Sequence, residues 1–248
     1  MDAEILQNKI IDSKDIKIIR QKNSSRKVDP SLEEAAKTEW ETILKKAHAD
    51  GMNPWDGIVY RLDNLDEVKN GSIEFKLSTV RYSQLRAFQK LKVSENYPPE
   101  YHTLHMGTLG IVKTSDGFYV FGFREKSLNS SQVTFIGGAL QEDELDVLSG
   151  DDIKQNMYKE LKEETNISPE EVGNIKIIKI IRAIERMNIF ILFSLDLNLT
   201  KDEVQEHYES LEDKEHDKLV FVTRGELAKY AKDLPDFMKL SLQHITES

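Results

Sequence analysis

Cysteine is absent from the 248 residues. That excludes disulfides, thiolate metal sites, iron–sulfur ligation and a cysteine nucleophile together. A chain of this length can bury a substantial core without covalent staples. Long apolar runs are missing too: the longest, Ile189 to Phe193, is far too short to span a bilayer. No apolar signal core marks the N-terminal residues, so the sequence reads as soluble, unsecreted and cytoplasmic. Positive charge is in deficit, 34 Lys plus Arg against 44 Asp plus Glu, a net charge of −10. This opposes nonspecific attachment to nucleic acid or an anionic membrane. It is compatible with small anionic substrates that arrive as metal complexes. Composition leaves the oligomeric state open.

Proline is scarce, with six in the chain, and Tyr97-Pro98-Pro99 interrupts regular structure. A join there divides an N-terminal extension, 1–100, from a main domain, 101–248. Asp29-Pro30-Ser31 predicts the start of a helix over 32–49, which Gly51 ends. Ile58, Tyr60 and Leu62 alternate with polar residues, as do Ile73, Phe75 and Leu77. Asn70-Gly71 between them predicts a tight hairpin turn. A helix follows over 83–92. The main domain reads as strands at 104–113, 118–124 and 133–136, a long helix, strands at 175–184 and 189–197, and a strand at 219–222. Thr200 with Glu203 and Thr223 with Glu226 have capping-box spacing and open two further helices. Mixed strands and helices in this order predict an α+β (mixed α/β) fold, a sheet covered by helices.

The chemistry concentrates in Lys159-Glu160-Leu161-Lys162-Glu163-Glu164, preceded by Gly137-Gly138 and Glu144. At about 100° per residue, Glu160 and Glu164 share a helix face and Glu163 lies beside them. Like charges this close disfavour a helix by about 0.2–0.5 kcal/mol per pair, so a compensating cation is expected. Mg2+ or Mn2+ suits such oxygen donors. Ile153, Met157 and Leu161 recur every four residues and supply the face that docks on the sheet. The alternative is a solvated acidic face paired with Lys159 and Lys162.

Together these residues resemble the Nudix box, in which a glycine precedes a glutamate by six positions and an Arg-Glu-x-x-Glu-Glu helix follows. Gly138 and Glu144 match the first spacing; Glu160, Glu163 and Glu164 match the helical carboxylates that bind metal in the family; Leu161 and Ile167 match its apolar positions. Fourteen residues separate Glu144 from Lys159 where the family has seven, so Leu145 to Tyr158 must hold a longer loop, with Gly150-Asp151-Asp152 restarting the helix. Lys159 stands where the family has arginine and keeps its charge without the planar fork. Asn166 replaces a glycine and tolerates the left-handed conformation expected there.

The resemblance implies a Nudix α/β/α sandwich with a mixed sheet, and Mg2+- or Mn2+-dependent cleavage of a diphosphate bond in a nucleotide-derived small molecule. It implies Glu160, Glu163 and Glu164 as metal ligands, with Glu160, Glu164 or an acid from another loop accepting the water's proton. Gly138 would shape the loop at the metal, with Gly137, Glu144 and Lys159 completing the box. Arg124 would contact phosphate or form a surface ion pair. Trp55 and Tyr82 would stack on a base or sugar or pack in the core. Trp40, Asn53-Pro54-Trp55-Asp56, Phe75-Lys76-Leu77-Ser78, Tyr82 and the later Glu203 to Tyr208 segment look like the branch acting on UDP-glucose or UDP-galactose. Other substrates (ADP-ribose, dinucleotides, nucleoside triphosphates) and a non-catalytic nucleotide sensor remain open. His102 and His105, and the basic residues Lys14, Lys17, Arg20, Lys22, Arg26 and Lys27, read as packing and surface groups.

Overall fold

The computed structural model describes residues 2–125 and 133–246. Its strands are β1 (Ala3–Gln7), β2 (Lys17–Arg20), β3 (Ile58–Leu62), β4 (Glu74–Arg81), β5 (His105–Lys113), β6 (Phe118–Phe123), β7 (Val133–Thr134), β8 (Val172–Ala183), β9 (Asn188–Leu197) and β10 (Lys218–Thr223). Its helices are α1 (Pro30–Ala49), α2 (Leu65–Lys69), α3 (Tyr82–Lys90), α4 (Val93–Asn96), α5 (Gly150–Thr165), α6 (Lys201–Glu209), α7 (Arg224–Tyr230) and α8 (Asp236–Thr246). The class is mixed α+β, as the element order predicts.

Ten strands share one sheet in the order β1-β8-β9-β5-β3-β4-β2, and β6 branches from β5 to carry β7 and β10. Strands from both sides of residue 100 therefore lie in the same sheet. Side chains alternate across it, as the pleat requires. Along β9, Ile189, Ile191, Phe193 and Leu195 join one core with Ile153, Met157 and Leu161 of α5 and Val204 and Tyr208 of α6. Phe190 and Leu192 join a second core beneath Leu227 of α7 and Phe237, Met238 and Leu242 of α8. A third, smaller cluster joins α1 to α3 through Leu32, Ala36, Leu85 and Phe88. No helix among the described residues is long and apolar enough to cross a membrane.

β3 and β4 pair antiparallel, but the connection is not the expected tight turn. Leu65 and Val68, three residues apart, bury themselves on the one turn of α2, which a two-residue turn could not do. Asn70 caps that helix and Gly71 follows at φ +98°. β7 is shorter than expected because residues 135–140 leave it to pair with β5. The basic N-terminal residues are not simply solvated: Arg20 binds Glu142 and Asp146, and Arg26 binds Glu33. β1 and β2 carry no clear periodic signal in the sequence, whereas Phe237, Met238, Leu242 and Ile245 of α8 recur at helical spacing and face one core.

Candidate active site

β5 changes partners along its length. His105 at its start pairs with Arg61 of β3, and Val112 and Lys113 at its end pair with β6. Between them the Gly137-Gly138 segment fills the gap: Thr108 N donates to Gly138 O at 2.9 Å, Gly110 N to Ile136 O at 2.8 Å and Leu140 N to Met106 O at 3.0 Å. Only glycine permits this approach. A Cβ on Gly137, whose φ is +142°, would lie 2.2 Å from Thr108 O, and one on Gly107 would lie 2.7 Å from Gly138 O.

The glutamate helix α5 lies against this loop. Ser149 caps it, with Asp152 completing a capping box, and Asn166 ends it at φ +61°, so the helix restarts and stops where the sequence predicts. The inserted stretch before it is fastened to the N-terminal strands. Tyr60 Oη donates to Leu145 O at 3.0 Å and accepts from Val147 N at 3.2 Å, while Arg20 holds Glu142 at 2.6 Å and Asp146 at 2.8 Å. Ile153, Met157 and Leu161 are fully buried and contribute roughly 1.5–3 kcal/mol each. Asn156 Nδ2 donates to Thr108 Oγ1 at 2.9 Å, which fixes the helix against β5.

That docking divides the three glutamates. Glu160 and Glu164, one turn apart, are buried at 6% and 1% exposure, whereas the Glu163 side chain is 55% exposed. Glu160 lies against Gly138, where an added Cβ would come within 2.4 Å of its Oε2. Glu164 sits under Gly137 and accepts from its N–H at 2.9 Å. Burial, reinforced by Glu164, pushes Glu160 up to about 8. Burial, with the charge of Glu215, holds Glu164 well above the usual carboxylate range.

Lys159 contacts Glu144, as the box pairing implies, and lies 3.3 Å from Glu163 and 3.8 Å from Glu160. Burial opposes its charge, yet Glu144, Glu160 and Glu163 outweigh that and hold the ammonium above its ordinary range. With Glu163 turned to Lys159 and Glu164 turned under the loop, no three acids or histidines among the described residues converge closely enough to hold a metal. The donors nonetheless suit a hard cation in kind. Glu160 is a buried carboxylate whose cationic neighbour Lys159 stands 3.8 Å away, and Glu163 needs only a side-chain rotation to leave Lys159.

Three groups behind and beside the helix carry no motif. Arg124 contacts Glu215, lies 3.6 Å from Glu164, and donates from Nε to His216 Nδ1 at 3.2 Å. This last bond makes Nδ1 an acceptor and leaves the neutral ring's proton on Nε2, which faces Glu164 Oε2 at 3.4 Å. His216 is 1% exposed, and burial pushes it down to about 4. It fits because Gly122 lacks a Cβ, which would lie 2.3 Å from the ring. Arg124 is thus joined to carboxylates while it also lines the cleft.

The cleft, about 320 Å3, brings Glu160, Glu163, Glu144, Lys159, Arg124 and Gly138 together with Trp55 and Tyr82 from the N-terminal part. Trp55 is 42% exposed, and its ring centroid lies 5.4 Å from that of half-buried Tyr82. Both aromatics therefore face the same space as the glutamates. A larger cavity, about 730 Å3 around Arg61 and Asp63, lies away from α5. His102 is engaged in packing, bonded to Tyr97 O and Arg182, whereas His105 lines the cleft.

No family model matches the sequence, and no curated protein matches it. Solved structures do. The candidate Nudix hydrolase Tm1382 aligns over 82% of this chain and 95% of its own, at 12% identity and a TM-score of 0.49. MutT from a study of Aliivibrio salmonicida and Vibrio cholerae aligns over 58% of this chain and 97% of its own, at 16% identity and a TM-score of 0.40. A C. elegans Ap4A hydrolase aligns over 57% and 96%, at 14% identity and a TM-score of 0.33. At these identities and TM-scores the likeness is one of fold.

Proposed function

We propose that the chain is a Nudix-type diphosphatase that hydrolyses a diphosphate bond in a nucleoside diphosphate derivative with the help of Mg2+ or Mn2+. The observation that carries this reading is the pair of buried glutamates packed against a loop whose close approach requires glycine. Glu160 and Glu163 would hold the metal, which when bound supplies charge compensation for phosphate oxygens and orients water. Glu160, open to the cleft and shifted towards neutral pH, is the better placed proton acceptor. Glu164, sealed under Gly137, fixes the loop, and Glu215 offers an acid from a second segment. Arg124 and Lys159 supply positive charge beside the diphosphate. Residues 1–100 act as an extension that completes the cleft through Trp55 and Tyr82.

Within this class, UDP-glucose or UDP-galactose cleavage to UMP and sugar 1-phosphate is the finer reading, supported by the N-terminal resemblance and by both aromatics lining the cleft. The test incubates the protein with Mg2+ and UDP-sugars, ADP-ribose, dinucleotides or nucleoside triphosphates, and identifies products by mass spectrometry. Metal-dependent cleavage that falls at least about tenfold in Glu163→Gln supports the reading, since loss of even an outer partner of a metal ligand typically costs about 10–100-fold. The lack of three converged carboxylates among the described residues, with Lys159 in place of arginine, favours a second reading, a nucleotide sensor. Nucleotide binding by folded protein with no turnover on any panel member would establish that instead.

A further inference from the structure

The glutamates occupy one part of the cleft; its other end, beside the β8–β9 turn, has the opposite electrostatic character. Arg86 of α3 and Arg186 of the turn both line it. They are joined through Gln89, which accepts from Arg86 Nη1 at 3.0 Å and donates to Arg186 O at 2.8 Å. Arg86 is 9% exposed. Among the described residues, no carboxylate lies within ion-pair distance of Arg186, whose guanidinium instead stands 5.0 Å from the centre of the Phe237 ring. Two guanidinium groups are thus brought together at this end of the cleft in a chain of net charge −10. Burial and the Arg86 charge hold Arg186 below its ordinary range, so the pocket disfavours the very cation it contains.

The floor gives a second, independent sign. His105 and Asn188 face each other on β5 and β9 and are 5% and 7% exposed. Among the described residues His105 Nδ1 and Asn188 Oδ1 are buried and meet no partner in good hydrogen-bond geometry, although the Asn188 side chain lies close enough to act on the His105 ring, and both residues line this same space. Unsatisfied polar atoms at the base of a cleft mark where a ligand or its waters complete the bonding.

We propose that this end of the cleft is a second anion subsite, in which Arg86 and Arg186 take a phosphate or carboxylate borne by the part of the substrate remote from the scissile diphosphate. The proposal rests on the diphosphatase reading for the first subsite and narrows its substrates to those with an additional acidic group. Arginine suits the task because its planar fork binds either oxyanion in two places and is weakly hydrated for a cation. Trp55 and Tyr82 stand beside it to hold the ring or sugar between the two anions.

Matched pairs of probes test it: UDP-glucuronate against UDP-glucose for a carboxylate, and NADPH against NADH for a phosphate. Affinity is measured by calorimetry in EDTA, and kcat/KM with Mg2+. The acidic member of at least one pair should bind about tenfold tighter or more, the range expected when hydrogen bonds to a charged group are gained. The pair that discriminates identifies the oxyanion. Arg186→Gln should bring the ratio to within about twofold of unity and Arg186→Lys should leave part of it, as a point charge without the fork would. Should the glutamine variant not fold, a loss of threefold or more in the lysine variant decides the matter. Equal affinity within each pair, a preference that survives Arg186→Gln, or no binding of any probe overturns the proposal. Equal affinity with metal-dependent cleavage overturns only the subsite, whereas selective binding without cleavage overturns only the diphosphatase reading.

Discussion

Replacing Glu160 by glutamine should stabilise the metal-free protein at alkaline pH. The carboxyl is 6% exposed and burial raises it from 4.5 to about 8. Because folding raises its proton affinity, the folded state gains where the group is protonated and loses ground as pH climbs from about 4.5 towards 8. The full gap corresponds to about 5 kcal/mol, of which about 3 kcal/mol falls between pH 5 and 8. Glutamine keeps the shape and cannot ionise, so that part of the slope disappears. In EDTA at pH 8, Glu160→Gln should melt above wild type by about 6–12 °C, on the scale of 2–4 °C per kcal/mol for a protein of this size. At pH 5 the two should nearly coincide. Millimolar Mg2+ should recover the wild type's loss and leave the variant unmoved. Calorimetric melting across pH 5–8, with and without Mg2+, is the assay. A flat wild-type profile in EDTA, or a variant less stable than wild type at pH 8, refutes the view that burial outweighs Lys159 at this carboxyl.

Gly138→Ala places a methyl group 2.4 Å from Glu160 Oε2, so the carboxylate must move. Overpacking of this kind costs about 1–3 kcal/mol, and turnover should fall at least about tenfold, read by melting and by product formation. Tyr60→Phe removes the hydroxyl that bonds Leu145 O and Val147 N and accepts from Arg20 Nη1 at 2.6 Å. An unsatisfied Val147 amide should cost about 1–3 kcal/mol, and limited proteolysis should accelerate within 142–149.

Much of the framework is legible in the sequence because period and capping are local signals. The alternation of β3 and β4, the two Thr-x-x-Glu caps and the restart of α5 at Gly150 each follow from neighbours within a few residues. The Asn70-Gly71 reading failed because Leu65 and Val68 win more by burial on α2 than a tight turn could offer. The N-terminal strands escaped notice since four or five residues of mixed character acquire meaning only from distant partners. The site divides in the same way. The helix spacing puts Glu160 beside Glu164, but their separation from Glu163 depends on how α5 meets β5. Arg86, Arg186 and Glu215 carry no motif in the sequence, and only the fold brings them to one cleft, with His216 buried behind it. Gly122 was the sole trace of His216, and its meaning required the ring that fills its missing side chain.

The pairing of β1 with β8 couples assembly to the direction of synthesis. Ala3 meets Ala183, so the first strand emerges long before its partner exists. At 5–20 residues per second, that interval is roughly 10–35 s, during which a strand edge stands open on the nascent chain. Asn188, Phe190 and Glu215, which complete the cleft, are made later still. A ribosome-bound chain therefore carries its glutamate helix before Asn188, Phe190 and Glu215 exist to complete the cleft around it.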